Sequence, residues 1–328
     1  MRYAIGMDLG GSSAKLGLVS EQAAVLGREI VATPESGDPL LVLQPFAEAV
    51  DRLGALAHAR GLQVAAIGCG VPGYLDPSRT VVDKNNIAAL DGFAISPWLQ
   101  QRFRLPVAVD NDACAAAIAE AASTGSDRHE RVLSVTVGSG IGVVLVVGGD
   151  VARIMHGVTG DAAHIIVDHA SRERCPLGCR GCLETVASAR AIARLGQRAA
   201  ESGASPLLAA RLRNLGSVTG LHVSEAAAQG DPAALQIIRQ AGYWLGVGLA
   251  SWAPIYEPDL VLLGGAVAQA GDEWLAAATA AMRDVGYPFF VDRIEVRRST
   301  LGNDAGMVGA ALLALRQTRP PGRCHAAG

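Results

Sequence analysis

The sequence lacks any run of about 18 or more uninterrupted apolar residues, which argues against a membrane span. It also lacks a strong charge of either sign. A formal net charge of −3 over 328 residues gives no electrostatic case for nucleic acid as the main partner. The start, MRYAIGMDLGG, has no apolar stretch followed by a small-residue cleavage site and does not read as a secretory signal. Cysteines number six, three of them clustered, which fits metal binding in a reducing cytosol better than a disulfide framework. A cytoplasmic location is therefore expected. No G-x-x-x-x-G-K-[ST] occurs, so the chain is not a P-loop protein. Gly138 to Gly142 is not G-x-G-x-x-G and runs into the strand-like IGVVLVV, which argues against a dinucleotide fold. Aromatics make up 4% of the residues, whereas 50% are apolar and 39 are glycine, a balance that suits tightly packed α/β layers.

The length accommodates two domains of ordinary size. YAIGMDLGGSSAKLGLV (3–19) and VLSVTVGSGIGVVLVVG (132–148) both read as strand, glycine-rich turn, strand. They form a weak internal repeat, each able to begin one lobe of a duplicated protein. Between them, 40–60 predicts an amphipathic helix, 64–73 and 105–112 predict strands, and ACAAAIAEAAS predicts a helix just after Asn111 and Asp112. Further on, helices are predicted over 183–200, 232–253, 272–284 and 302–315, and strands over 259–265 and 293–299. Strands separated by helices argue for a largely wound α/β sheet. No Pro- or Ser-rich linker separates the lobes, and the boundary is expected near residue 113. The expected division is a lobe of 1–113 joined by a closing helix at about 304–316, a second lobe of 114–303, and a disordered tail over 317–328.

Three glycine clusters follow apolar strands: Gly10-Gly11-Ser12, Gly138-Ser139-Gly140 and Gly264-Gly265. Glycine lets backbone N–H groups turn toward an anion with no side chain in the way, although it also makes ordinary turns. Asp8 precedes the first cluster. It reads either as a turn aspartate bonding its own backbone or as a carboxylate near phosphate and Mg2+. Lys15, on the same hairpin, fits a phosphate contact and a solvated strand end equally. VAVDNDAC places Asp110, Asn111 and Asp112 at the C-terminal end of a strand, where ligands gather in open α/β sheets. One such residue suffices to cap the following helix. Asp112 could take a proton from an attacking hydroxyl while Asn111 holds the substrate.

GDAAHIIVDHASRERCPLGCRGCLE (160–184) gathers Asp161, His164, Cys175, Cys179, Cys182 and Glu184. Three thiolates and an imidazole can make a closed tetrahedral metal site, and Gly178 and Gly181 supply the tight turns that let nearby thiolates converge. His169 is a rival fourth ligand that reads better as a surface residue. Cys69 and Cys114 read as small core residues, and Trp244 and Trp252 as core or interface.

Taken together and in order, these segments resemble the ROK family of bacterial sugar kinases and sugar-responsive repressors, within the hexokinase/actin/Hsp70 superfamily. The resemblance spans residues 3–316: IGMDLGGSSAKLGLV, VDNDACAAAIAE, VTVGSGIGVVLVVGG, GDAAH through GCLE, PDLVLLGGAV and LGNDAGMVGAALLAL. It implies a two-lobed actin-like α/β fold with a central cleft, and ATP-dependent phosphorylation of the 6-hydroxyl of an aldohexose, glucose foremost. An N-acylhexosamine kinase and a non-catalytic sugar-sensing protein are the alternatives. It further implies that Asp112 is the general base, that Gly73, Asn86, Asn111, Asp161, His164 and Glu184 face the sugar, and that Asp8 organises Mg2+. Gly10, Gly11, Ser12, Gly138, Ser139 and Gly140 would line the phosphates, and Gly264 and Gly265 the nucleoside. His164, Cys175, Cys179 and Cys182 would hold a structural Zn2+. A dimer or tetramer is expected on the same ground, while the small net charge and the lack of a long apolar run predict no nucleic-acid or membrane partner. Because the first hairpin begins at Tyr3, no room is expected for the helix-turn-helix that precedes it in repressors. Three departures stand out. Asp161 replaces the usual Glu, Ala163 replaces the usual Gly, and the cysteines are spaced C-x3-C-x2-C rather than C-x-C-x4-C.

Overall fold

The computed structural model describes residues 1–85, 87–124, 129–153 and 161–318. In chain order the strands are β1 (Tyr3–Asp8), β2 (Ser13–Ser20), β3 (Val25–Ala32), β4 (Val64–Val71), β5 (Gly73–Leu75), β6 (Val82–Asn85), β7 (Val107–Asn111), β8 (Arg131–Val137), β9 (Ile141–Val147), β10 (Asp150–Val151), β11 (Leu260–Gly264) and β12 (Glu295–Arg298). The helices are α1 (Pro39–Ala59), α2 (Ile95–Phe103), α3 (Asp112–Ser123), α4 (Leu183–Ala187), α5 (Ala189–Glu201), α6 (Pro206–Leu215), α7 (Gly220–Ala228), α8 (Pro232–Tyr256), α9 (Asp272–Val285), α10 (Pro288–Val291) and α11 (Ala305–Gln317). They form two compact units: 1–128 with 149–160 and 301–328, and 129–148 with 161–300. Helix α3 thus belongs to the first unit.

The first unit holds a sheet ordered β3-β2-β1-β4-β7. β1 runs antiparallel to β2 and parallel to β4, and β4 runs parallel to β7. Side chains alternate across β1, as strand geometry requires. Ile5 and Met7 enter a core shared with Val42, Leu43, Phe46, Val50 and Leu53 of α1. Those five positions recur at helical spacing. The Asp38 side chain accepts from Leu40 N at 2.8 Å and Pro39 follows it, so the helix begins where sequence rules place a start. Each large apolar side chain buried here contributes on the order of 1.5–3 kcal/mol.

The other face of β1 and β4 carries α11, and the approach is close enough to need glycine. A Cβ on Gly68 would lie 1.8 Å from the Ala310 carbonyl oxygen, and one on Gly309 would lie 1.6 Å from the Ala115 carbonyl oxygen of α3. Every residue from Ala305 to Leu315 is buried.

In the second unit the order β9-β8-β11-β12 repeats the pattern of β2-β1-β4-β7, one antiparallel pairing followed by two parallel ones. The repeat seen in the two glycine-tipped hairpins is therefore a repeat of topology. Trp252 of α8 and Trp274 of α9 are fully buried, and Trp244 is half-buried on α8. The helix predicted over 183–200 is two helices. Ser188 is extended between them, with its hydroxyl accepting from Ala191 N at 3.3 Å, and Ala189 N donates instead to the Gly138 carbonyl at 2.8 Å. Strands β3, β5 and β6 and helices α2, α6, α7 and α10 had no counterpart in the sequence reading. Residues 319–328 of the expected tail lie outside the described residues, and α11 continues to Gln317.

Replacing Gly309 by alanine must push α11 off α3. We expect Gly309→Ala to cost about 1–3 kcal/mol or more in chemical denaturation, as overpacking does. A midpoint equal to wild type would contradict this packing.

Candidate functional site

In the first unit, β1 delivers Asp8 to its C-terminal end and the chain turns through Leu9 to Ser12. The turn is anchored at three points: Leu9 N donates to the Gly70 carbonyl at 2.9 Å, Thr33 Oγ1 to the Gly10 carbonyl at 2.6 Å, and Thr33 N to the Ser12 carbonyl at 3.0 Å. Gly11 and Ser12 are exposed at its tip. Asp8 is covered by α11, since a Cβ on Gly306 would come 2.5 Å from the Asp8 carboxyl carbon. Burial raises the Asp8 pKa above the ordinary carboxylate value, and the Lys15 charge opposes it. Lys15 lies opposite Asp8 in the β1–β2 register and donates to the Asn303 carbonyl at 3.1 Å. Neither Gly306 nor this carbonyl was singled out from sequence, although both belong to the run GNDAG.

β7 ends on Asn111, and α3 begins at Asp112. Asn111 is the helix cap. Its Oδ1 accepts from Ala113 N at 2.9 Å and Cys114 N at 3.2 Å, while its Nδ2 donates to the Gly73 carbonyl at 2.8 Å. Gly73 thus stands beside Asn111, at φ +137°. Asp112 is left free of the capping duty. Burial first, and the Asp8 charge as a further cause, push its pKa up to about 6, against the lowering effect of the Ala113 N–H at 2.8 Å. A carboxyl poised near neutrality is suited to proton abstraction. Asn86 lies outside the described residues. Cys69 and Cys114 are fully buried beneath these groups, and burial raises both thiols, Cys114 to about 12, so they are inert packing.

In the second unit, the tip Gly138-Ser139-Gly140 docks on the start of α5 and on α4. Arg190 Nε donates to the Ser139 carbonyl at 2.6 Å. Ile141 N donates to Glu184 Oε2 at 3.1 Å, and a Cβ on Gly140 would lie 2.4 Å from that oxygen. Glu184 therefore braces the hairpin, with Arg190 at 3.7 Å on its other oxygen. Arg190 is a site neighbour that sequence reading missed, because nothing in its local pattern marks it. Gly264 ends β11, and Gly265, at φ +86°, packs on Val137, where a Cβ would meet the carbonyl oxygen at 2.4 Å.

Asp161 is exposed and leads into a 3-10 turn over Ala162–His164, its carbonyl accepting from His164 N at 2.9 Å. His164 Nδ1 lies 3.6 Å from Cys175 Sγ and 3.7 Å from Cys182 Sγ. A zinc ion with ligands at about 2.3 Å (sulfur) and 2.0 Å (nitrogen) in tetrahedral array sets sulfur and nitrogen roughly 3.6 Å apart. The donor types and the spacing both fit zinc. All three donor atoms lie within 4.8 Å of one another, and Cys179 is not part of that group. Cys179 is half-buried at the tip of the same loop, where Cys175 N donates to its carbonyl at 2.9 Å. His169 is exposed and stands outside the cluster.

No helix among the described residues is long and apolar enough to cross a membrane. The sequence pattern of the ROK family matches residues 4–317. A glucokinase of Halalkalibacterium halodurans is 31% identical over 317 residues, covering 96% of each chain. The ROK hexokinase from Thermus thermophilus superposes with a TM-score of 0.79 at 32% identity, over 96% of this chain and 98% of that one. A ROK family glucokinase from Streptomyces griseus, solved in complex with glucose and AMPPNP, gives 0.75 at 33% identity, over 96% and 99%. The fold is the actin-like α/β fold that the sequence led us to expect, and the chain belongs to the ROK family.

Proposed function

We propose that this protein transfers the terminal phosphoryl group of ATP to the 6-hydroxyl of an aldohexose, with glucose as the leading substrate. The observation that carries the reading is Asp112, a half-buried carboxyl at the head of α3 whose pKa is raised to about 6. Phosphoryl transfer depends mainly on positioning and charge neutralisation, and it needs a group to take the hydroxyl proton. Asp112 takes that proton. Asn111, fixed by its cap and by Gly73, presents its remaining amide hydrogen to the sugar. Asp161, His164 and Glu184 supply further sugar contacts, His164 through Nε2. The exposed turn of Gly10, Gly11 and Ser12 and the tip of Gly138, Ser139 and Gly140 offer backbone N–H groups to phosphate, and Gly264 and Gly265 face the nucleoside. Asp8, half-buried and close enough to raise Asp112 by its charge, suits a divalent cation such as Mg2+, which when bound would neutralise phosphate charge. His164, Cys175 and Cys182 would hold a structural zinc, with Cys179 swinging in as the fourth ligand. A dimer or tetramer in the cytoplasm completes the proposal; exposed Tyr287 and Phe289 offer apolar surface for assembly.

One observation favours a second reading. Asp161 is a methylene shorter than the family's usual Glu, which leaves more space beside the sugar ring and keeps an N-acylhexosamine kinase in view.

A coupled ADP-release assay over glucose, mannose, N-acetylglucosamine and N-acetylmannosamine tests both. Glucose should give the highest kcat/KM, and absence of sugar-dependent ADP release from every member would end the kinase reading. Asp112→Asn should lower kcat by about 10²–10⁴-fold, the usual worth of a general base. Near-normal turnover would remove the assignment. The base acts when ionised, so kcat/KM should fall as pH drops through about 6 and level off above it. Metal analysis should find about one zinc per chain, and chelation should lower the melting temperature. A stable, active, zinc-free preparation would refute the metal site.

A further inference from the structure

The sequence DND contains a carboxylate that the proposed reaction does not use. Asp110 precedes Asn111 on β7 and is 1% exposed. A buried carboxylate without partners is costly, and this one has three. Arg153 grips it as a fork, Nη1 to Oδ1 at 3.2 Å and Nη2 to Oδ2. Arg79 Nη1 reaches Oδ2 at 3.4 Å, and Asn111 N donates to Oδ1 at 2.8 Å.

The partners come from separate pieces of the first unit. Arg153 follows β10. Arg79 sits in the turn between β5 and β6 at φ +57°, a left-handed conformation that side chains rarely adopt. Asp76 locks that turn by accepting from Thr80 N and Val81 N, both at 2.7 Å. The same β5–β6 hairpin begins at Gly73, whose carbonyl takes the Asn111 amide. Asp110 is thus the node where the hairpin, the strand that ends on Asn111 and leads into Asp112, and the segment after β10 are tied together.

Packing alone could join three elements at less cost. A buried ion pair is commonly no more stabilising than apolar residues of similar volume. What a bidentate fork adds is a fixed orientation. The orientation in question is that of the two residues next in sequence. We propose that Asp110 is a positioning residue for the sugar subsite, acting through Arg153 and Arg79 to hold Asn111 and the β5–β6 hairpin in register for the acceptor hydroxyl. This rests on the sugar-kinase reading.

The test uses the full-length protein and three variants, Arg153→Met, Arg153→Lys and Arg79→Met. Steady-state KM for glucose and for ATP, glucose affinity by calorimetry without nucleotide, and melting temperature are measured for each. Arg153→Met should raise KM for glucose by about ten-fold or more, since small misplacements at a reacting centre are expensive, and leave KM for ATP within about two-fold. Arg153→Lys, which keeps the charge and loses the fork, should fall between it and wild type. Arg79→Met, at the longer contact, should move glucose in the same direction by less. Parallel changes in the two KM values, or unchanged glucose affinity in a folded variant, would overturn the proposal. Should Arg153→Met not fold, the Lys and Arg79 variants decide on the same criterion. Wild type that binds sugar without turning it over would refute the kinase reading alone, and calorimetry would still judge the clamp. Wild type that binds no sugar of the panel would refute both.

Discussion

The backbone of α11 lies directly on the backbone of β1 and β4, and much of the first unit's chemistry follows from that approach. Gly68 makes room for the helix on the sheet, and Gly309 within it makes room for α3. Gly306, one turn earlier, closes over the Asp8 carboxylate. The helix therefore acts as the lid that desolvates Asp8. Desolvation raises Asp8, and the Asp8 charge in turn adds to the raised pKa of Asp112. Asp112 itself begins α3, the helix that Gly309 packs against at Ala115. A helix late in the chain thus covers one of the two carboxyls, at residues 8 and 112, whose pKa values are raised.

In the second unit the dependence runs along one loop. His164, Cys175 and Cys182 converge, and Cys182 is the residue from which α4 starts. Two residues later Glu184 accepts from Ile141 N and fills the space beside Gly140. A metal ion bound at the cluster would fix α4, α4 fixes Glu184, and Glu184 fixes the glycine hairpin. The cysteines are then remote from the chemistry but not independent of it.

Features repeated in local pattern were legible in the sequence. Both hairpins, the α1 stripe at Val42, Phe46, Val50 and Leu53, and the strand-to-helix switch at Asn111 and Asp112 follow from periodicity and turn chemistry. Features set by a distant partner were not. The break at Ser188 has one weak local sign, the serine that caps α5, and is completed by the distant Gly138 carbonyl, which accepts from Ala189 N. The same holds for the bond that Glu184 accepts from Ile141 N, and for Arg190 and Gly306, whose roles exist only against Ser139 and Asp8. The metal loop was legible as a cluster of donors, yet its spacing alone does not reveal that Cys179 stands outside the group of mutually close atoms.

Asn111 and Asp112 also show why capping and chemistry are poor alternatives. A carboxylate in the first turn of a helix is favoured by the macrodipole, by about 0.3–1 kcal/mol at exposed sites. The Ala113 N–H beside Asp112 adds to that effect. Both favour the ionised form and would hold the pKa low. One pKa unit corresponds to about 1.4 kcal/mol, so these effects together could lower the group by only a unit or so. The pKa instead lies near 6, which means that burial and the Asp8 charge outweigh the helix start. Because Asn111 takes the cap, with its Oδ1 on Ala113 N and Cys114 N, Asp112 shares only the Ala113 N–H and leaves Cys114 N to Asn111. Had the aspartate been the cap, hydrogen bonds to its charged form would have made it a strong acid and a weak base. The order Asn then Asp gives the structural duty to the residue that cannot ionise and leaves the proton to the one that can.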